Sequence, residues 1–241
     1  MKHILFFLSI CVLTLVACKK NTSAPPPRVI DSSYKPDIRP ARFTSSTNIT
    51  NPYYPITAGK KYIYEGQTPD GLEHVEEQRL TTTKTILGII CIVVNFKSYL
   101  NGKLIEEAQD WYAQDNEGNL WYFGEAVDNY NTNGTLKDHK GSWEAGVGGA
   151  LPGIAMLASP QAGIAYREEY FFNNAEDRAQ VLETGISVTI PLGTYTNCIK
   201  TKNWTELEPD VLENKFYAPG IGLVKDIDLK DNSTVVLKAI L

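Results

Sequence analysis

The chain has 241 residues, 43% hydrophobic, 21% charged and 10% aromatic, with a formal charge of −5 at pH 7. That composition is globular rather than disordered, and an acidic balance without a basic cluster argues against nucleic-acid binding. Past the first twenty residues no apolar run approaches the roughly 20 residues of a membrane-spanning helix; the longest solid run is Ile86 to Val94.

The N-terminus opens on Met1-Lys2-His3, continues through the apolar stretch Ile4 to Ala17, and reaches Leu15-Val16-Ala17-Cys18 before Lys19-Lys20. A basic start, a short apolar region and a small residue at its end have the form of a secretory signal. Leu15-Val16-Ala17-Cys18 resembles the lipobox of bacterial lipoproteins. In that family the cysteine thiol is diacylated, the leader is cut before it, and the new amine is acylated. The resemblance implies a signal peptide over 1–17 and a palmitate-type anchor at Cys18. Three acyl chains exceed the two signals that stable membrane attachment requires. In the family's sorting logic Lys19, being other than Asp, directs the protein to the outer membrane, on its periplasmic or surface face. Cys91 and Cys198 then remain in a compartment that permits disulfides. Two buried thiols acting as small hydrophobes are favoured, and a bond between them stays open.

Residues 18–51 form the lipidated cysteine and a flexible tether. The stretch is rich in Pro, Ser, Thr and Asn, with Pro25-Pro26-Pro27 near its start, and offers too little apolar surface to fold. Residues 52–241 read as one β domain with an internal duplication, about 53–125 and 157–229. Ala58-Gly59 with Tyr62 and Glu65 recurs as Ala162-Gly163 with Tyr166 and Glu169. Leu87-Gly88 and Cys91 recur as Leu192-Gly193 and Cys198, and Trp111-Tyr112-Ala113 as Phe216-Tyr217-Ala218. Equivalent members should occupy equivalent places about a pseudo-twofold axis. Lys61-Tyr62-Ile63-Tyr64 and Ile186 to Ile190 alternate as strands do, and β-branched Ile89 to Phe96 suggests a strand covered on both faces. Asp70-Gly71, Asn101-Gly102, Glu117-Gly118-Asn119 and Asn133-Gly134 are turns. The Gly-rich stretch Gly141 to Leu157 reads as an irregular crossover between the units.

Ala113 to Glu125, Gly141 to Gly153 and Phe216-Tyr217-Ala218-Pro219-Gly220-Ile221-Gly222-Leu223-Val224-Lys225 resemble segments of secreted bacterial proteins and envelope lipoproteins with curled antiparallel sheets. Some of these look like the half-barrel carriers that shuttle lipoproteins. The resemblance implies a mainly β fold, an antiparallel curled sheet, half-barrel or sandwich, and brings no assigned activity with it.

Chemistry-bearing patterns are few. Beyond His3 the chain has His74 and His139, and neither HExxH nor GxSxG occurs, so no metal, cofactor or catalytic residue is expected. Asp115, Glu117 and Asn119 alternate oxygens as a calcium loop does, but the EF-hand pattern is incomplete and a hairpin turn is favoured. Glu144 with Glu125 or Glu169 is the one carboxylate pairing suited to glycan hydrolysis. Aromatics carry the better clue: Trp111, Trp121, Trp143 and Trp204, with Tyr166 and Glu144, are candidates for a ligand face. The expected function is non-enzymatic binding of a hydrophobic or glycan ligand, or of an envelope protein partner. An envelope glycan hydrolase and a structural assembly subunit are the alternatives.

Overall fold

Turn residues cut the chain into hairpins. In the computed structural model, which describes residues 29–241, β1 (Lys61–Thr68), β2 (Gly71–Ile86), β3 (Ile89–Leu100) and β4 (Lys103–Gln114) follow one another through tight turns. Leu87-Gly88 and Asn101-Gly102 hold φ of 51°, 78°, 51° and 75°, the left-handed conformation that two-residue hairpin turns demand. Beyond the Asp115–Asn119 turn come β5 (Leu120–Tyr130), β6 (Leu136–Asp138), β7 (Trp143–Glu144) and β8 (Leu151–Met156). Then follow β9 (Ala165–Arg167), β10 (Glu169–Tyr170), β11 (Arg178–Ile190), β12 (Gly193–Trp204), β13 (Leu212–Ala218), β14 (Gly222–Asp228) and β15 (Thr234–Ile240). Apart from a 3-10 turn at Pro40–Arg42, the described residues contain no helix, and none is long and apolar enough to cross a membrane. The signal peptide and Cys18 lie outside the described residues.

All pairings are antiparallel, and the order is β10-β8-β5-β4-β3-β2-β1-β15-β14-β13-β12-β11-β9, with β6 and β7 also on β5. The two ends of this path, β9 and β10, are consecutive in sequence, with only Glu168 between them. The curled sheet is thereby nearly closed into a barrel with one unsealed seam, where no ladder joins β8–β10 to β9–β11. Curling removes all but this edge from solvent. At the seam Gly153 of β8 meets the Glu168–Glu169 backbone so closely that a Cβ there would lie 2.5 Å from Glu169 N.

The two faces of the sheet bury different chemistry. Cross-strand partners Tyr62, Glu77, Phe96 and Ala108 line the lumen, as do Val94, Asp110 and Glu125, and on the other side Thr201, Lys215 and Asp226. The lumen is therefore filled with tyrosines and charged side chains rather than with aliphatic packing alone. Cys91, Val93, Trp111, Trp121 and Phe123 are buried on the outer side; residues 42–50 run over that face, whereas Tyr54 packs against Tyr112 and Tyr217 on the inner side. Phe43 meets Trp121 and Phe123 edge-on, Ser46 Oγ donates to Ile90 O at 2.7 Å, and Asn116 bonds Thr44 and Ala41. β3 is accordingly covered on both faces over Cys91 to Val94, while its later residues from Lys97 on are only partly buried.

Two expectations about segments are corrected. The tether does not extend to residue 51: Phe43 and Ile49 are buried in the core, and Asn51 donates to Gly118, Met156 and Leu157 carbonyls. Two large hydrophobics are enough to dock a segment otherwise polar in composition. Nor is Gly141–Leu157 irregular throughout, because β7 and β8 belong to the sheet and β8 pairs with both β5 and β10.

Gly59 and Gly163 have φ of 86° and 90°, and their N–H groups donate to Arg79 O and Val181 O at 2.7 and 2.8 Å. Cys91 is the third residue of β3 and Cys198 the sixth of β12, and both thiols are free and buried. Tyr112 lies on β4 and Tyr217 on β13.

Candidate ligand cleft at the barrel seam

Register across the strands beside the seam sets three side chains in a row. Arg178 of β11 faces Arg167 of β9 on one side and Trp204 of β12 on the other. Partners directly opposite share a face, so two guanidinium groups and an indole lie abreast on the outer surface. Tyr166 sits next to Arg167 at the open edge. With Tyr34, Ile154 and Ala165 these residues line a cleft of about 290 Å³. A neighbouring cleft of about 540 Å³ shares Arg167 and Arg178 and is completed by residues 29–33, Tyr170, Glu176 and Glu206.

A strap formed by residues 29–34 crosses the seam between these clefts. Asp31 accepts from Arg167 at 2.8 Å and its N–H donates to Tyr170 Oη at 2.6 Å. Tyr34 donates to Pro152 O at 2.8 Å, on the far side of the seam. Arg167 lies 4.5 Å from the Tyr170 ring centroid and 5.5 Å from that of Tyr34, within cation–π range. Hydrogen bonds from Ser33 and Arg167 hold the Asp31 carboxyl well below the usual range, while burial pushes the Tyr34 and Tyr166 hydroxyls up. Arg178 is less completely engaged. Its Nη2 is 3.5 Å from Glu206, and its buried Nε has no hydrogen-bond partner among the described residues. Aromatic rings beside a guanidinium with donor capacity to spare can take a flat polar ligand bearing an anionic group.

The six residues singled out in the sequence for a ligand face are dispersed. Tyr166 and Trp204 line the cleft. Trp143 is buried, opposite Glu125 on β5, with its ring edge-on to Tyr122 at 5.4 Å. Trp111 and Glu144 share one partner on the outer face: Lys84 Nζ lies 3.4 Å from the Trp111 ring centroid and 2.7 Å from Glu144 Oε2. Trp121 is buried under Phe43 and donates its indole N–H to Asp115 Oδ2 at 2.9 Å. Asp115 also accepts from the Glu117 and Asn119 backbones and the Asn119 side chain, so its oxygens are spent on the hairpin turn.

The carboxylate pairing expected for hydrolysis is not formed by Glu144. Glu144 faces Gly124 and Glu125 faces Trp143 in the same ladder. Adjacent strand residues alternate faces, so Glu144 points outward while Glu125 points into the lumen, with the sheet between them. Arg167 and Arg178 were not recognisable from the sequence. They are eleven positions apart by number, and only the β9–β11 register makes them neighbours.

Comparison with solved structures finds a distantly similar chain. A solved structure from Parabacteroides distasonis ATCC 8503, described as a "putative lipoprotein", is similar to this chain at 15% sequence identity with a TM-score of 0.42, over 79% of this chain and 99% of that one. No protein-family model matches the chain, and no curated protein matches it.

Proposed function

We propose that the protein is a lipid-anchored envelope protein, attached to the outer membrane through Cys18, that binds an acidic glycan in the seam cleft without chemical turnover. The Leu-Val-Ala-Cys run at the end of a signal-like leader supports the anchor, and Lys19 supports the outer-membrane assignment. The barrel is read as two copies of one five-strand unit, a reading supported by the recurrence of Gly59, Tyr62, Cys91 and Tyr112 as Gly163, Tyr166, Cys198 and Tyr217. Binding in the cleft rests chiefly on one observation, the row of Arg167, Arg178 and Trp204 on adjoining strands beside Tyr166. Rings stack on sugar faces, and a guanidinium recognises a carboxylate or phosphate with two parallel N–H donors. The cleft volumes fall near the lower part of the range for small-molecule sites, about 300–1,000 Å³.

Calorimetric titration with uronic-acid oligosaccharides and with neutral oligosaccharides of matched length tests this. Saturable binding to the acidic set is expected. Arg178→Gln should weaken it by about tenfold or more, as removal of a charge-assisted hydrogen bond does, and Trp204→Ala should weaken both sets together. Lack of binding by the parent protein, or binding indifferent to both substitutions, would overturn the assignment.

A further inference from the structure

One short segment shapes both clefts at the seam. Residues 29–33 form a wall of the larger cleft and Tyr34 a wall of the smaller, while Arg167 and Arg178 line both. The segment is fastened at two places. Asp31 spans the seam: its carboxylate accepts from Arg167 Nη2 of β9 at 2.8 Å, and its N–H donates to Tyr170 Oη of β10 at 2.6 Å. Tyr34 donates its hydroxyl to Pro152 O of β8 at 2.8 Å and meets the Tyr170 ring edge-on at 5.7 Å.

These fastenings are polar and shallow. Val29 and Ile30, the segment's two aliphatic residues, are 80% and 64% exposed, so no apolar burial beside Asp31 holds it down. Segments with few buried apolar contacts open at a small part of the cost of global unfolding. Asp31 also presents to Arg167 the group that an acidic sugar would present. It receives one hydrogen bond from the guanidinium, whereas a carboxylate free to orient takes two in parallel. The Arg167 side chain is 9% exposed and that of Asp31 35%. The guanidinium is walled in, and a second carboxylate reaches it where Asp31 now stands.

We propose that residues 29–34 are a displaceable strap that competes with the cleft's acidic ligand: the ligand's acid group replaces the Asp31 carboxylate on Arg167, and binding lifts the strap from the seam. The inference rests on the acidic-glycan reading of the cleft and adds to it how that site is opened. With the strap in place the seam offers two clefts, of about 290 and 540 Å³. With the strap lifted, the row of Arg167, Arg178 and Trp204 lies along one trough, open to a ligand of several sugars.

Where the free protein holds the strap closed, the apparent affinity falls by the fraction of molecules that are open. Loosening either fastening therefore strengthens binding, the opposite of what losing a ligand contact does. Asp31→Asn keeps the backbone N–H for Tyr170 and takes the carboxylate from Arg167. Tyr34→Phe leaves the charge and the ring in place and removes the bond to Pro152. The two variants act on different fastenings, and the second does so without changing the field around the guanidinium groups.

The probe is trigalacturonate, titrated calorimetrically into the full chain in detergent at pH 7. In parallel, amide exchange is followed at Asp31 and Ser33, whose N–H groups are bonded to Tyr170 Oη and to Asp31 Oδ1. Asp31→Asn and Tyr34→Phe should each bind trigalacturonate about threefold or more tightly than the parent. Saturating trigalacturonate should speed exchange at Asp31 and Ser33 in the parent. If trigalacturonate binds the parent but leaves that exchange unchanged or slows it, or if either variant binds no more tightly, the strap is a fixed wall; the inference falls and the cleft assignment stands. Absence of binding by the parent and by both variants would overturn the cleft assignment and the strap together.

Discussion

Gly153→Ala tests whether the barrel depends on close backbone approach at its seam. Gly153 does not have a positive φ, so alanine meets no conformational obstacle of its own, and the substitution isolates the contact. The new methyl would fall on the Glu168 carbonyl and lie 2.5 Å from Glu169 N. These are backbone atoms and cannot rotate away as a side-chain tip can. Overpacking of this kind costs about 1–3 kcal/mol, here toward the upper end. Loss of the glycine's freedom in the unfolded chain offsets about 0.4–1 kcal/mol, leaving about 2 kcal/mol. For a protein of this size that corresponds to a fall in Tm of about 4–8 °C. The shift should be local in origin, because β8 meets β10 through only the pairs Pro152–Glu169 and Leu151–Tyr170. Thermal unfolding by circular dichroism gives the magnitude, and amide exchange gives the place, with protection lost first over residues 151–156 and 165–170. A Tm within 1 °C of the parent with unchanged exchange in both stretches would refute the close-approach argument.

Stability should decline as pH rises. Asp110, Glu125, Glu168, Glu169 and Asp226 are all held above the ordinary carboxylate range, chiefly by burial. From about pH 4 upward the native state thus binds more protons than the unfolded chain, and unfolding becomes easier until the raised values are passed. Urea midpoints should be lower at pH 8 than at pH 5, and the reverse order would contradict the buried-acid lumen. Arg79→Leu should cost about 3–5 kcal/mol in urea unfolding, since it strands Glu77, 2.7 Å from the guanidinium, and removes the donor to Pro55 O and Tyr62 Oη; Glu77→Leu with Arg79→Leu should recover part of the loss. Asp31→Asn should raise amide exchange over residues 29–36 while leaving the global urea midpoint nearly unchanged, and an unaltered rate there would argue against the Arg167 contact as the strap's fastener.

Much of the fold was legible because local rules and tertiary structure agree. Asn101-Gly102 is a tight turn in both sequence and structure, and the alternation through Lys61–Tyr64 places Tyr62 and Tyr64 inward, as period two requires. The closing strand was not legible. Leu151-Pro152-Gly153 contains the two residues that most oppose strand formation, yet Pro152 is tolerated where the ladder on β10 is two residues long, and Gly153 is required where backbones converge. The docking of residues 38–56 escaped for another reason. Composition averages over a segment, whereas burial here depends on Phe43 and Ile49 individually and on the surfaces that β3, β4 and β5 present to them.

The candidate site was hidden because register brings its members together. The row Ile63–Glu76–Lys97 runs across β1, β2 and β3, with Glu76 ion-paired to Lys61 at 2.7 Å: an ordinary solvated face. Across β9, β11 and β12 the row is Arg167–Arg178–Trp204. Both rows come from the same antiparallel register, so the ladder alone does not distinguish them. Residue type decides that one is a solvated ion-pair face and that the other sets two guanidinium groups beside an indole, next to the seam where no ladder joins β8–β10 to β9–β11.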